Sequence, residues 1–71
     1  MINREFYRKL NREASTLQTL AYKLTRDMEP ARQLYLETIF QAEKNSIHFK
    51  REKSFKAWII AIMKAVFQNG N

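Results

Sequence analysis

The sequence has no cysteine, one glycine and one proline among its 71 residues. Without cysteine it forms no disulfide and has no thiolate chemistry, which suits a reducing compartment. The longest apolar run, residues 57–63, is far shorter than the roughly 18 residues that a membrane-spanning helix needs. Residues 1–5 also lack the apolar stretch of a signal peptide. We therefore expect a soluble, cytoplasmic protein.

The polar residues form no recognisable catalytic or metal-binding constellation. The single histidine, His48, has neither a cysteine nor a second histidine to complete a metal site. The carboxylates are scattered along the chain, and a single glycine leaves no glycine-rich loop for a phosphate. We expect no catalytic residue, no metal and no cofactor, so the chain is not predicted to be an enzyme.

The sequence is rich in core-forming residues at helical spacing. Hydrophobic residues make up 45% of the chain, enough for one small domain over residues 1–71. The buried stripes are predicted to be Leu17, Leu20, Ala21 and Leu24, then Ala31, Leu34, Tyr35, Thr38, Ile39 and Ala42, then Phe55, Trp58, Ile59, Ile62 and Val66. This pattern predicts an all-α, compact three-helix bundle, or four helices if the polar residues 11–13 break the first one.

The helix boundaries are marked by capping residues. Asp27 is a candidate N-cap whose carboxylate would accept backbone N–H groups, and Pro30 suits the first turn of a helix that begins near Met28. That helix is expected to end near residues 45–46, and Ser54 is expected to cap the third helix.

Two apolar faces lie outside these stripes. The third helix carries a second line formed by Ile60, Met63 and Phe67. This line predicts that the helix either lies centrally between the other two or has a face without a partner, and the central position is preferred. On the second helix, Leu36 and Phe40 are one turn apart and flanked by polar residues. We expect them to be at least half exposed as a protein-contact patch, although a second buried face is an equal alternative.

Positive charge is unevenly distributed along the chain. Thirteen Lys and Arg against seven Asp and Glu give a net charge of +6, and the excess is dense in residues 47–71. There a basic segment with aromatic residues runs into the apolar third helix, an arrangement that favours holding a nucleic-acid strand against a rigid platform. Charge alone is equally compatible with a solvated face.

Three segments that follow one another along the chain resemble region 2 of the extracytoplasmic-function (ECF) sigma factors, and they are residues 20–27, 31–38 and 54–64. These are bacterial initiation subunits of RNA polymerase. The resemblance spans residues 6–69, and Lys56, Ala57 and Trp58 followed by the segment 62–64 are most similar to members from Bacteroidetes.

The resemblance implies two binding functions. The second helix would bind the clamp helices of the RNA polymerase β′ subunit through Gln33, Leu36, Glu37 and Phe40. The following loop and the third helix would recognise and melt the promoter −10 element and hold a non-template base. The matching DNA-binding candidates are Asn45, Ser46, His48, Lys50, Arg51, Lys53, Ser54, Lys56 and Lys64.

The lysines and arginines of that set would neutralise phosphates, while the polar loop residues would read a base. Trp58 lies on the main stripe and is expected to support the core. An anti-sigma factor is a further candidate partner.

The chain departs from the family pattern at several positions. Gln33 stands where the family usually has Asp, Leu36 where it usually has Gln, and Ala65 where an Asn is common. No segment resembles the family's second domain, region 4, which reads the −35 element, so an excised domain and a truncated relative both fit. The competing interpretation is a helical protein-interaction module that uses Leu36 and Phe40 and has a solvated basic face.

Overall fold

The computed structural model describes residues 4–46, 49 and 54–69, which form three α-helices and no strand. Helix α1 is Arg4–Thr25, α2 is Met28–Lys44 and α3 is Phe55–Asn69. This confirms the predicted all-α three-helix bundle. The 22 residues of α1 extend about 33 Å, which matches the 32 Å long dimension of the molecule. No described helix has both the length and the apolarity to cross a membrane.

Helix α1 is continuous, which confirms the prediction of one helix and excludes the alternative of a break near Asn11. Leu10 and Leu17 are both buried, at 6% and 0% exposure. They are seven residues apart, which is close to two helical turns and places them on one face. The intervening Asn11 and Arg12 are exposed on the other side. The polar run is therefore the solvent face of one helix.

The turn between α1 and α2 is closed mainly by backbone hydrogen bonds. Arg26 has a φ of 62°, and its N–H donates to the Tyr22 carbonyl at 2.7 Å, which is the left-handed cap that ends many helices. Asp27 has the extended backbone of an N-cap, but its carboxylate accepts no capping hydrogen bond from the described start of α2. The expected role of that carboxylate is therefore wrong, although the position is right. The Thr25 hydroxyl lies 2.9 Å from the Ala21 carbonyl oxygen and closes the end of α1.

The largest fully buried side chains form the centre of the core, and they are Leu17, Thr38, Ile59 and Met63. Each helix contributes at least one of them. The Thr38 hydroxyl donates to the Leu34 carbonyl at 2.7 Å, so this buried polar group keeps a hydrogen bond. The second helix therefore carries a hydroxyl into the core without an unsatisfied donor.

Helix α3 lies on the flank of the bundle rather than at its centre. Only Ile59 and Met63 of α3 are fully buried, whereas Ile60 and Phe67 are half-buried and Lys64 is exposed. Helix α2 packs extensively against both other helices, while the contact between α1 and α3 is the smallest. The expectation of a central α3 is wrong because α2, and not α3, makes the large contacts with both other helices. The second apolar line of α3 is left partly in contact with solvent.

Candidate functional site

Four residues of α2, Gln33, Leu36, Glu37 and Phe40, are all exposed, and we call them the α2 surface. Their spacing of three, four and seven residues places them on one face of the helix. Leu36 is 56% exposed and Phe40 is 54% exposed. This confirms the predicted exposure of the pair and rejects the alternative of a second buried face.

Polar groups border the apolar centre of the α2 surface. Gln41 Nε2 donates to Glu37 Oε2 at 3.1 Å. The Lys44 Nζ lies 5.4 Å from the centroid of the Phe40 ring, within the range of a cation–π interaction. An apolar centre with a polar rim is the composition of a protein-binding patch.

An open groove of about 890 Å³ runs between α2 and α3 beside this surface. Gln33 and Glu37 line one side of it, and Ile62, Val66 and Phe67 line the other. Sequence reasoning did not identify the groove because it arises from the distance between two helices. The half-buried apolar residues of α3 indicate the groove, because a central α3 would have had them covered by the other helices.

The first residues after α2 have capping contacts. Asn45 Nδ2 donates to the Gln41 carbonyl at 2.8 Å, and the Ser46 hydroxyl donates to the Glu43 carbonyl at 3.1 Å. Both carbonyls lie in the last turn of α2 and also accept backbone N–H groups, so these side chains reinforce the end of the helix. Their predicted contact with DNA would have to use the remaining polar atoms or replace these bonds.

The predicted cap of α3 is present. Ser54 Oγ accepts a hydrogen bond from the Ala57 N–H at 3.2 Å, as expected of an N-cap serine. Lys56 and Lys64 are both exposed and lie about 12 Å apart along the axis of α3. The remaining predicted DNA-binding residues lie outside the described residues: His48, Lys50, Arg51 and Lys53.

Four aromatic side chains pack together between α1 and α3, and one of them, Phe49, comes from the stretch of sequence between α2 and α3. We call them the aromatic cluster: Phe6, Phe49, Phe55 and Trp58. The Phe49 ring centroid is 5.1 Å from Trp58 and 5.6 Å from Phe55. Phe6 makes edge-on contacts with Phe55 at 5.8 Å and with Trp58 at 6.4 Å. Such geometries are favourable for aromatic pairs. Trp58 is half-buried and packs against the core, as predicted.

Phe49 is the residue of this cluster to which sequence reasoning gave no role. Its ring contacts α3, and the Nζ of Lys9 on α1 lies 5.5 Å from its centroid. Its N–H donates to the Ser46 carbonyl at 3.2 Å. The Phe49 side chain therefore contacts α1 and α3 at once. An aromatic residue inside a basic stretch was the available signal.

A hydrogen bond joins α1 to α2 at the surface. The Tyr7 hydroxyl donates to Glu43 Oε2 at 2.9 Å. This bond raises the pKa of Tyr7 above its ordinary value of 10.0, and desolvation and the Glu43 charge raise it further. The bond favours the neutral tyrosine because the phenol proton is shared with a carboxylate.

Among the described residues, no group of three or more His, Cys, Asp or Glu side chains could hold a metal ion. Comparisons with protein-family models, with curated proteins and with solved structures found no match for this chain. The functional assignment therefore rests on the residues and surfaces described above.

Proposed function

We propose that this chain is a transcription-initiation domain of the sigma-factor region 2 type. The α2 surface binds the clamp helices of the RNA polymerase β′ subunit. The segment between α2 and α3, together with the start of α3, binds the non-template strand of the promoter −10 element. The proposal joins the resemblance of residues 6–69 to the properties of these surfaces.

The observation that carries the proposal is the exposure of Leu36 and Phe40 side by side on α2. Contact with water is unfavourable for the half-exposed leucine and phenylalanine side chains, and a partner that covers them removes this cost. Large apolar side chains at the centre of a patch are typical anchors of protein interfaces. These positions align with the clamp-binding positions of the sigma family, where Leu36 stands in place of the usual Gln.

The DNA-binding half of the proposal is supported by charge and by the aromatic cluster. Lys56 and Lys64 are exposed cations, and the basic residues of segment 47–53 precede them in sequence. Phe49, which lies within this basic stretch of the sequence, packs against Phe55 and Trp58. A side chain that is already held by packing does not have to be ordered when a strand binds, which lowers the entropic cost of binding.

The clamp contact is tested by Leu36→Glu combined with Phe40→Glu. Capture of bacterial RNA polymerase core by the immobilised chain should fall at least tenfold, because losing one anchor costs about 1.4 kcal/mol or more. The far-ultraviolet circular dichroism spectrum should not change, since both side chains are already exposed. The matched control is Tyr22→Glu with Met28→Glu, because these residues are 48% and 75% exposed and lie outside the α2 surface. Equal capture by the two double variants, or unfolding of the first, contradicts the clamp assignment.

The DNA contact is tested with a single-stranded −10-like oligonucleotide at low and moderate salt. The variant combines Lys50→Glu and Arg51→Glu, and its control combines Arg26→Glu and Arg32→Glu, which carry the same change of charge at the other end of α2. The loop variant should bind much more weakly and with a smaller salt dependence, because fewer counterions are released. If the parent fails to bind at low salt, or both variants bind alike, the chain is a protein-interaction module with a solvated basic face.

A further inference from the structure

The outward face of α1 carries a row of arginines that the proposed function does not use. Arg4, Arg8 and Arg12 are all exposed and are spaced four residues apart, so successive side chains lie about 6 Å apart along the axis. Lys23 continues the same side of the helix toward its end, and Ser15 and Thr19 lie between them, also exposed. The face is about 28 Å long.

This row is not neutralised within the described part of the chain. The ion pair found there joins Lys9 to Glu5 at 3.8 Å, which occupies the carboxylate nearest to the row. Helix α1 contains five cations and two carboxylates, whereas α2 contains two cations and three carboxylates. Helix α1 is therefore net positive, whereas α2, which packs against it, is net negative.

The electrostatics of an isolated helix oppose this arrangement. Like charges four residues apart destabilise a helix, and a cation in the first turn, such as Arg4, faces the positive end of the helix dipole. Because the three arginines do not stabilise the helix by themselves, an external anion is the partner that gives the row a favourable interaction energy. Guanidinium groups bind phosphate in a bidentate manner, and hydroxyl groups donate to phosphate oxygens.

We propose that the outward face of α1 binds the phosphate backbone of duplex nucleic acid. A straight row of cations suits a partner that repeats its charges along a line, as a duplex does. An anionic membrane fits less well, because stable attachment of a helix to a membrane also uses an apolar face. The apolar face of α1, formed by Phe6, Leu10, Leu17 and Ala21, is buried in the core.

This surface goes beyond the proposed function and does not depend on it. The segment between α2 and α3 is proposed to hold a single strand, whereas the arginine row contacts only phosphates and reads no sequence. A chain that fails to bind the −10-like strand can still bind a duplex through α1. The two tests therefore fail independently.

The probe is a short, blunt, fluorescently labelled DNA duplex of random sequence, with affinity measured by anisotropy over a range of salt concentrations. Arg8→Gln with Arg12→Gln should weaken binding roughly tenfold or more near 0.1 M salt and lower the salt slope by about one unit per arginine. Arg8→Lys with Arg12→Lys keeps the charges and should retain most of the affinity. Arg26→Gln with Arg32→Gln is the matched control for lost charge.

Removal of the two arginines relieves repulsion along α1, so the glutamine variant should melt at or above the temperature of the parent. A fold defect is therefore distinguished from a lost contact. The proposal is overturned if the glutamine variant and its control bind the duplex equally well. It is also overturned if the parent binds vesicles of phosphatidylcholine and phosphatidylserine more tightly than the duplex through these same arginines.

Discussion

Arg26 has a backbone conformation that its own side chain disfavours. With a φ of 62° it is in the left-handed region, where a residue with a Cβ is strained by about 1 kcal/mol. Glycine removes that strain but gives the unfolded chain more freedom, so the two effects partly cancel. We expect Arg26→Gly to raise the free energy of unfolding by about 0.5 kcal/mol, as measured by urea denaturation.

Arg26→Ala is the control for this substitution, because it removes the same charge and the same long side chain while keeping the Cβ. It should leave stability unchanged or slightly lower. A gain of equal size in both variants would show that relief of charge repulsion, and not backbone strain, limits stability at this turn.

Single residues differ in how far the sequence predicts them. The exposure of Leu36 and Phe40 and the Ser54 cap were predicted correctly, because both follow from local spacing. The left-handed backbone conformation of Arg26 was not predicted, because a glycine at that position would indicate it and an arginine does not. The Asp27 carboxylate was assigned a bond that it does not make, because residue type identifies the position of a cap but not its rotamer.

Helices α1 and α2 are joined at the surface by the bond from Tyr7 to Glu43, and this bond has a pH dependence of known sign. The folded state holds the Tyr7 pKa above 10.0, so it favours the protonated tyrosine relative to the unfolded chain. The contribution to stability is fully present below about pH 10 and is lost as the pH rises through the folded-state pKa. We expect Glu43→Gln to shift the Tyr7 pKa toward 10.0.

The shift is measured by nuclear magnetic resonance titration of the tyrosine ring carbons, with Tyr7→Phe used to assign the signal. Glu37→Gln is the comparison on the same helix, because it removes one carboxylate that does not contact Tyr7. An unchanged titration of Tyr7 in the Glu43 variant would mean that the bond is not formed in solution.

Whole elements were predicted well in number and order but less well in their extent and position. The sequence could identify α1 as one helix only if the polar residues 11–13 were read as its solvent face, which depends on Leu10 and Leu17 being buried by the same neighbours. The position of α3 could not be predicted from its own hydrophobicity. The position of α3 depends on the extensive contact between α1 and α2, which leaves α3 to pack mainly against α2.

At the scale of the whole molecule, the charge and apolar surfaces are segregated onto different helices. Helix α1 presents the arginine row, α2 presents Leu36 and Phe40, and α3 presents Lys56 and Lys64. The sequence alone located the excess of positive charge near the end of the chain. It did not show the row on α1, because other residues separate the arginines in sequence and only the helical spacing brings Arg4, Arg8 and Arg12 together on one face.

The aromatic cluster contains an intrinsic fluorophore that reports on the structure of this domain. Trp58 is the single tryptophan of the chain, and its indole lies 5.1 Å from the Phe49 ring. The emission of one unlabelled fluorophore therefore responds both to melting of the bundle and to detachment of Phe49 from α3. A ligand that pulls the Phe49 ring away from α3 would be visible as a change in emission while the helices remain intact.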